Sequence, residues 1–345
     1  MRIGLIGYGA WGQQHAAAIE RLPGLELAAI ATPSEGSRSM ASARHGQARV
    51  LADYRDLLSL PDIEMVDIVA PNTLHAQMAE AALAAGKHVL LEKPIGISAA
   101  ECDRLIAAEV TSGKRLSAGH ELRLSSQWGL VQSEIAAGRI GEPRHVSVGL
   151  FRNAYRPGAS GWRTDPARVG SWSLEETVHF FDLALWYLGE LSGSAMVQAV
   201  GTPNENSPEL YETLCTQIRF DSGRTAAINH TTGGFGHTQW AEVIGSEGSI
   251  RTEWNGRMDR DEAPNFQFRI RPKNFPFERG VNEFEEIVIA SSGELVELER
   301  QLALTAEAFR ESRTLVSAKE ARKSVILCLA AEEAVTMQQP VSVTL

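Results

Sequence analysis

A lysine at the end of a predicted strand is the first residue of this sequence whose position suggests chemistry. Lys93 follows the apolar stretch His88–Leu91 and Glu92, and Pro94 restricts the backbone directly after it. At the edge of a sheet, its ammonium group could hydrogen-bond a substrate hydroxyl and stabilise an alkoxide that forms as hydride leaves. Glu92 could hold the lysine by ion pairing. A solvated Glu-Lys pair is the alternative interpretation.

Acidic and imidazole side chains recur at helical spacing in the segment Trp172–Asp182. Glu175 and His179 lie four residues apart and share one face of an α-helix, and Asp182 lies three residues beyond the histidine. A carboxylate that orients an imidazole prepares it to act as a general base. The alternative is a capping carboxylate beside a core histidine.

A glycine-rich turn joins the first predicted strand to the first predicted helix. It contains Gly7, Gly9 and Gly12, with Ala10 and Trp11 between the last two. The first glycine permits a tight turn, the second leaves room for a pyrophosphate, and the third lets the helix pack close to its strand. The following helix N-terminus favours anions, so the turn predicts a dinucleotide cofactor. A glycine-rich turn of another α/β fold is the alternative.

The residues after the second predicted strand leave the choice between NAD and NADP open. An Asp or Glu usually binds the ribose hydroxyls there, but this chain has Thr32. Thr32 and Ser34 could bind a hydroxyl or a phosphate, Arg38 could reach a 2′-phosphate, and Glu35 would repel one. We expect NAD rather than NADP by a narrow margin.

Three residues after the third predicted strand lie where ligands bind in sheets of this kind. They are Pro71, Asn72 and His75. His75 could face the cofactor cleft. The alternatives are a helix cap for Asn72 and a surface position for the histidine.

Basic and aromatic residues are dense between Phe151 and Arg168. They could bind an anionic sugar, and a solvated loop is an equal alternative. The residues are Arg152, Tyr155, Arg156, Arg163 and Arg168.

The N-terminal part must position the glycine turn and Lys93. Strand and helix patterns alternate over residues 1–120, which predicts a doubly wound parallel sheet, the Rossmann arrangement of an α/β fold. The predicted strands are Ile3–Ile6, Leu25–Ala31, Met65–Val69, His88–Leu91 and Arg115–Ala118. The predicted helices are Gln13–Leu22, Ser37–His45, Leu74–Ala85 and Ala99–Thr111.

Beyond residue 120 the alternation of strand and helix patterns gives way to consecutive strand patterns, so we predict domains 1–120 and 121–345. Period-two strands joined by short turns predict a large, mostly antiparallel sheet. Its strands are Arg144–Phe151, Ala195–Gly201, Leu214–Phe220, Thr225–His230, Gln239–Ile244, Gly248–Trp254 and Val341–Leu345. The predicted helices are Ser125–Ala137, Glu297–Thr314 and Ala318–Gln338. Residues 255–296 are poorly patterned and predict loops and short strands.

Composition limits the class of protein further. The 345 residues are 43% hydrophobic and 22% charged, which is ordinary for a globular chain. No apolar run reaches the ~20 residues of a membrane helix, and we identify no signal peptide. The net charge of −10 argues against a nucleic-acid partner. Cys102, Cys215 and Cys328 have no metal or disulfide spacing, so we expect buried thiols, no metal and a cytoplasmic location.

Taken together, these motifs resemble the glucose–fructose oxidoreductase / inositol dehydrogenase (Gfo/Idh/MocA) family over essentially the full length. The resemblance rests on the glycine turn, Ala84–Val89 leading into Glu92-Lys93-Pro94, Gly161-Trp162-Arg163, and Glu175 with His179 and Asp182. It implies a Rossmann domain, a C-terminal α/β domain with an open sheet, a nicotinamide cofactor and carbohydrate-like substrates.

The same resemblance implies roles for individual residues. Lys93 corresponds to the catalytic lysine and His179 to the acid/base, while Trp162 and Arg163 lie near cofactor and substrate. The family's usual Asp is Glu175 here, so Glu175 or Glu176 could orient the histidine or contact substrate. The remaining expected substrate contacts are His120, Arg152 and Tyr155.

Three functions follow as hypotheses. The first is an NAD(P)-dependent dehydrogenase of a sugar, sugar derivative or cyclic polyol. The second is an NAD-dependent glycoside-cleaving enzyme that oxidises a ring hydroxyl transiently and eliminates the aglycone. The third is a non-enzymatic scaffold, against which Lys93 and His179 argue. The family also implies a homodimer or homotetramer.

Overall fold

The computed structural model describes residues 1–189, 192–257, 264–275, 283–289 and 293–345. Much of the stretch 255–296, for which the sequence predicts loops and short strands, therefore lies outside the described residues. Within that stretch, residues 265–271 form a regular strand that the sequence patterns did not resolve.

A six-stranded parallel sheet forms the N-terminal part. Its strands are β1 Arg2–Ile6, β2 Glu26–Ala31, β3 Arg49–Leu51, β4 Met65–Ile68, β5 His88–Glu92 and β6 Leu116–Gly119. They are ordered β3-β2-β1-β4-β5-β6, and the described pairs are all parallel. The order reverses between β1 and β4, and ligands bind at such a switch point. The strands predicted from the sequence did not include β3, which has only three residues.

Five helices connect these strands. They are α1 Ala10–Arg21, α2 Glu35–Arg44, α3 Tyr54–Leu58, α4 His75–Ala84 and α5 Ala99–Ser112. Side-chain oxygens of Ser34, Asp53 and Ser98 cap α2, α3 and α5, as expected for residues of these types at an N-cap. Gly113, at a φ of +66°, ends α5.

A nine-stranded sheet forms the second layer. Its strands are β7 Pro143–Phe151, β8 Ser194–Pro203, β9 Tyr211–Phe220, β10 Thr225–Thr231, β11 His237–Gly245, β12 Ser249–Gly256, β13 Asn265–Arg271, β14 Glu285–Glu286 and β15 Val341–Thr344. Their order is β14-β13-β12-β11-β7-β10-β9-β8-β15. Among the described pairs β7 and β10 are parallel, and the others are antiparallel. The predicted fold class is therefore confirmed.

Helices cover one face of this sheet and leave the other open. The helices of this part are α6 Trp128–Ala136, α7 Pro166–Val169, α8 Val178–Leu188, α9 Glu294–Arg310 and α10 Ala318–Met337. α8 packs on β7 and α10 packs on β8, so Val146, Val148 and Leu150 are fully buried. Met196 and Val200 lie on the open face, and their side chains are 50% and 69% exposed.

The C-terminal helices return to the first sheet. Leu298, Leu302 and Phe309 of α9 belong to the same hydrophobic cluster as Ile3 and Leu5 of β1. α10 packs against α5. α9 therefore completes part of the core beside the N-terminal sheet, although the division 1–120 and 121–345 assigned it to the second domain.

No helix among the described residues combines the length and apolarity needed to cross a membrane.

Candidate active site

The turn after β1 is shaped by two glycines and leaves space at the third. Gly7 has a φ of +100°, and a Cβ there would lie 2.0 Å from the carbonyl oxygen of Val69. A Cβ on Gly12 would lie 2.3 Å from the carbonyl oxygen of Gly7, whereas one on Gly9 would meet no atom within 4 Å. No side chain caps the N-terminus of α1, and its first turn, which includes Ala10 and Trp11, has no acidic residue. The turn thus fits a pyrophosphate.

The polar side chains of the segment after β2 form hydrogen bonds with the backbone of that segment. The Ser34 hydroxyl accepts a hydrogen bond from the Ser37 amide at 3.4 Å, which caps α2. The Arg38 guanidinium donates to the carbonyl oxygens of Thr32 and Pro33, at 3.2 and 2.6 Å. Arg38 therefore lies at the end of β2, with part of its donor capacity used by the backbone.

The loop after β4 connects the two parts of the molecule. Asn72 is buried, and its Nδ2 donates to the Val169 carbonyl at 2.9 Å and to Glu175 Oε2 at 3.1 Å. It follows Pro71, which begins a 3₁₀ turn at residues 72–74. The polar contact of Asn72 is thus with the second part of the chain, and no side-chain capping bond forms in this turn.

His75 is a buried structural histidine, so the surface position considered from the sequence is wrong. Its Nδ1 lies 2.6 Å from the Pro94 carbonyl oxygen, and its Nε2 lies 2.8 Å from that of Ala70. Burial lowers the pKa of its imidazole. The ring connects the loop after β4 to the loop after β5.

Lys93 leaves the end of β5, and its ammonium group enters a group of carboxylates. The Lys93–Pro94 peptide is cis, and Nζ donates a hydrogen bond to the main-chain carbonyl of Glu175. Burial opposes the charge, but the surrounding carboxylates, Glu175 and Glu176 first, outweigh it and raise the pKa of Lys93. The lysine is therefore a partly buried cation.

Glu92 has a different partner from the one predicted. Nε2 of His15 lies 3.5 Å from Glu92 Oε1, and Nδ1 of the same ring lies 2.8 Å from Asp67 Oδ2. Burial disfavours the imidazolium, yet Asp67 and Glu92 raise the pKa of His15 to about 10. A Cβ on Gly119 would lie 3.0 Å from Glu92 Oε1, so β6 closes over this carboxylate. Glu92 is thus held by His15 rather than by an ion pair with Lys93.

The carboxylate of Glu175 does not orient His179, contrary to the prediction. Its Oε1 accepts from Arg163 Nε at 2.7 Å, and its Oε2 accepts from Asn72. Residues 173–177 form a π-helical turn that precedes α8, so the four-residue spacing of an α-helix does not apply there. Glu176 forms an ion pair with Arg152.

His179 faces Glu121, a residue that the sequence analysis missed. Nε2 of His179 lies 3.5 Å from Glu121 Oε1, and Nδ1 is buried without a hydrogen-bond partner among the described residues. Asp182 binds Arg123 through two contacts of 2.7 and 2.8 Å, so it does not orient His179. Glu121 lies two residues beyond the end of β6, the neighbour of β5, and this position was the sequence signal that could have identified it.

The pKa values of His179 and Glu121 are shifted in opposite directions. Burial, followed by Lys93 and His120, lowers the pKa of His179 well below its usual value. Burial, followed by Glu92, raises the pKa of Glu121 well above its usual value. The ring of His120 packs edge-on against His179 at 5.5 Å. Burial therefore favours the neutral form of both members of the pair.

The aromatic residues of the arginine-rich segment stack on its guanidinium groups. Arg152 lies 4.2 Å above the ring of Tyr155, and Arg163 lies 5.0 Å above that of Trp162. The Tyr155 hydroxyl is 3.5 Å from Nε2 of His230. Each of these two arginines also pairs with a glutamate, so the chain itself compensates the charges of Arg152 and Arg163.

The geometry assembles a partly buried ammonium group, an imidazole with one nitrogen that has no partner among the described residues, and a helix N-terminus suited to an anion, at one edge of the parallel sheet. Residues 1–120 match the Gfo/Idh/MocA oxidoreductase family, described as having an NAD-binding Rossmann fold. Residues 129–251 match the Gfo/Idh/MocA C-terminal domain. The chain belongs to this family.

Relatives of this Gfo/Idh/MocA protein include proteins named as sugar and polyol dehydrogenases. It is 28% identical to an inositol 2-dehydrogenase of Rubrobacter xylanophilus, over 72% of this chain and 70% of the relative. It is 27% identical to a levoglucosan dehydrogenase of Pseudarthrobacter phenanthrenivorans, over 76% of each chain. A levoglucosan dehydrogenase structure with NADH and levoglucosan has a TM-score of 0.85, 22% identity and 99% coverage of both chains.

Membership in the Gfo/Idh/MocA family makes this chain an NAD-binding oxidoreductase. The glycine turn agrees with that property on structural grounds. The open space at Gly9 and the uncapped N-terminus of α1 are the features that a bound dinucleotide needs.

Proposed function

We propose that this oxidoreductase transfers a hydride between a hydroxyl-bearing carbon of a sugar, sugar derivative or cyclic polyol and C4 of nicotinamide. One observation carries the proposal: partly buried Lys93 and buried His179 lie close enough to affect each other's charge, at the edge of the sheet where the glycine turn lies. The names of the relatives, which act on inositol and levoglucosan, support the substrate class.

The cofactor would be held by the turn at Gly7, Gly9 and Gly12, through the amides of Ala10 and Trp11. Further contacts in the proposal come from Thr32 and Ser34 beyond β2, and from Pro71, Asn72, His75, Glu92, Trp162 and Arg163 at the cleft. When bound, NAD⁺ accepts the hydride that leaves the substrate carbon.

NAD rather than NADP is the proposed cofactor. Two hydrogen bonds of Arg38 go to backbone carbonyls, and Glu35 adds an exposed carboxylate to the first turn of α2. Both features weaken binding of a 2′-phosphate, because a phosphate needs free cationic donors.

The proposed chemistry uses two side chains of the protein. Lys93 donates a hydrogen bond to the reacting oxygen and stabilises its negative charge as the C–H bond breaks. His179 exchanges the hydroxyl proton at Nδ1, the nitrogen without a partner among the described residues. Asn72 and Arg163 hold Glu175, whose main-chain carbonyl positions the lysine.

A neutral, hydroxyl-rich substrate is favoured over an anionic sugar. Arg152 pairs with Glu176 and Arg163 pairs with Glu175, so neither arginine offers an uncompensated charge to a carboxylate. Hydroxyl groups, by contrast, can bind both partners of such a pair because they donate and accept. Tyr155 and His120 would add further contacts.

The test is turnover of a panel containing myo-inositol, levoglucosan and common aldoses, with NAD⁺ and NADP⁺ supplied separately. We expect nicotinamide absorbance to rise with at least one sugar or polyol, and faster with NAD⁺. Absence of turnover over the whole panel would contradict the proposal.

Lys93→Met identifies the role of the lysine in the same assay. We expect kcat to fall by roughly 10²–10³, as for the loss of one transition-state donor, while NAD⁺ affinity measured by calorimetry changes little. Unchanged kcat in this variant would exclude Lys93 from the chemistry.

The glycoside-cleaving alternative uses the same residues without net cofactor turnover. Its supporting observation is the replacement of the family's usual Asp by Glu175. The nitrophenyl glycosides of the same sugars distinguish the two functions. Release of nitrophenol without accumulation of NADH would favour cleavage, and NADH accumulation on the free sugars favours the dehydrogenase.

A further inference from the structure

We propose that Glu121 is a positioning residue that exchanges a proton with Nε2 of His179 and thereby sets the tautomer that meets the substrate. The proposal rests on the function proposed above and adds a proton path to it. Ionised Glu121 prepares the site for alcohol oxidation, and protonated Glu121 prepares it for carbonyl reduction.

The contacts of Glu121 carry the argument. Glu121 is the first residue of the 3₁₀ turn at residues 121–124, two residues beyond the end of β6, and it is 6% exposed. Oε1 lies 3.5 Å from His179 Nε2, and Oε2 has no hydrogen-bond partner among the described residues. Ionisation of a buried carboxyl group is unfavourable because the charge loses its hydration. Burial therefore favours a Glu121 that holds a proton or shares one with the imidazole.

Charged groups from three neighbouring elements act on this carboxyl. Glu92 at the end of β5 and Glu294 at the start of α9 raise its pKa, and Lys93 lowers it. His179 approaches from α8, and His120 packs on that ring. Arg123 of the same turn is occupied by Asp182 and Glu320. Burial favours the uncharged form of both groups, and Oε1 of Glu121 lies 3.5 Å from Nε2 of His179, so a proton between these two atoms can reside on either of them.

The proton path balances in both directions. In oxidation, the substrate C–H bond leaves with its electron pair as hydride to the cofactor, the hydroxyl proton binds Nδ1, and the Nε2 proton passes to ionised Glu121. In reduction, the Nδ1 proton passes to the alkoxide oxygen and the carboxyl proton of Glu121 returns to Nε2. The imidazole thus changes tautomer and is neutral before and after each turnover.

Nitrogen-15 NMR of histidine-labelled protein tests the tautomer without catalysis. The His179 signals are assigned by their loss in His179→Asn. In the wild-type protein we expect the ring proton on Nδ1 at low pH, where Glu121 is protonated, and on Nε2 at higher pH. In Glu121→Gln we expect one tautomer at every pH, because an amide does not titrate. A wild-type tautomer that does not change with pH, or a change that persists in Glu121→Gln, would overturn the proposal.

Kinetics provide the second readout. In the wild type, kcat for oxidation should rise with pH through the raised pKa of Glu121, and kcat for reduction should fall through the same pKa. Glu121→Gln should remove both of these pH dependences and lower kcat about 10²–10⁴-fold, with little change in KM.

Glu297→Gln is the matched control. Glu297 is another buried carboxyl, on α9, whose pKa burial raises to about 7, and it has no contact with His179 among the described residues. Glu297→Gln should keep the wild-type pH dependence of kcat. Loss of that pH dependence in Glu297→Gln would overturn the proposal. Since the NMR result does not require turnover, failure of the dehydrogenase assignment and failure of this proposal are distinguishable.

Discussion

At the scale of single residues, the three glycines of the turn after β1 have different reasons to be glycine. Gly7 and Gly12 are required by the protein, because a side chain at either would collide with a backbone carbonyl. Gly9 has open space beside it and no such requirement. Its small size therefore serves something outside the protein, which in this family is the cofactor.

Gly9→Ala and Gly12→Ala should separate binding from folding. The Gly9 variant should unfold at the wild-type denaturant midpoint but bind NAD⁺ at least tenfold more weakly, because its methyl group occupies the space of the pyrophosphate. The Gly12 variant should lose both stability and binding. Urea unfolding and calorimetric titration measure the two properties, and unchanged NAD⁺ affinity in Gly9→Ala would contradict the role assigned to this space.

At the scale of secondary-structure elements, a buried charged group joins α1, β4 and β5. His15 of α1 lies between Asp67 of β4 and Glu92 of β5, and all three side chains are almost fully buried. A buried cation between two carboxylates stabilises the fold only while all three are present. The group supports the two segments that position the candidate site, the glycine turn and Lys93.

His15→Asn should destabilise the protein by about 3–5 kcal/mol, because it leaves two carboxylates buried without a cation. His145→Asn is the control and should cost much less, since the partners of His145 among the described residues are the hydroxyls of Thr225 and Ser147. Urea unfolding of both variants checks this. Equal losses would mean that the charge of His15 contributes nothing.

The same histidine predicts a pH dependence of stability. Its pKa is raised from 6.5 to about 10 in the folded protein, so the folded state holds the proton more tightly than the unfolded state. The contribution of His15 to the free energy of unfolding is therefore complete below pH 6.5 and declines as the pH rises towards 10. The stability difference between wild type and His15→Asn should therefore shrink over this interval, and a difference that grows would contradict the assignment.

At the scale of the whole molecule, the two sheets share helices. α9 carries Leu298, Leu302 and Phe309 into the core beneath β1, and Asn72 connects the first sheet to the π-helical turn before α8. The site forms where these parts meet. We therefore expect residues 1–120 to depend on the C-terminal helices for stability.

Leu302→Ala should lower the free energy of unfolding by about 2–5 kcal/mol and increase amide hydrogen exchange in β1. Leu304 lies on the same helix and is 39% exposed, so Leu304→Ala should change neither quantity much. If hydrogen exchange in β1 were unaffected by Leu302→Ala, the two parts would fold independently.

The homodimer or homotetramer expected from the family remains a prediction, and the open face of the nine-stranded sheet is where it can be tested. Val200 is 69% exposed on that face, and Val110 is 76% exposed on α5. We expect light scattering to give an oligomeric mass for the wild type and Val110→Lys, and a monomeric mass for Val200→Lys. A monomeric wild type would contradict the prediction.

Local patterns in the sequence predicted those parts of the protein that local forces determine. The glycine turn, Lys93 at the end of a strand, the alternating elements of the first sheet and the two C-terminal helices follow from steric requirements and periodicity within short windows. The short strand β3 was missed because three residues carry no periodicity. β13 lies in a stretch whose pattern was too weak to assign.

The tertiary structure alone decided which charged groups meet. The sequence placed a carboxylate near His179 and proposed Glu175 or Asp182, because both are close along the chain. The fold instead brings Glu121 from the end of β6, gives Glu175 to Arg163 and Asn72, and gives Asp182 to Arg123. The spacing of residues along a helix predicts only which residues are adjacent on that same helix. Contacts between elements depend on how the two sheets and their helices pack, and these contacts decide which group can hold the proton.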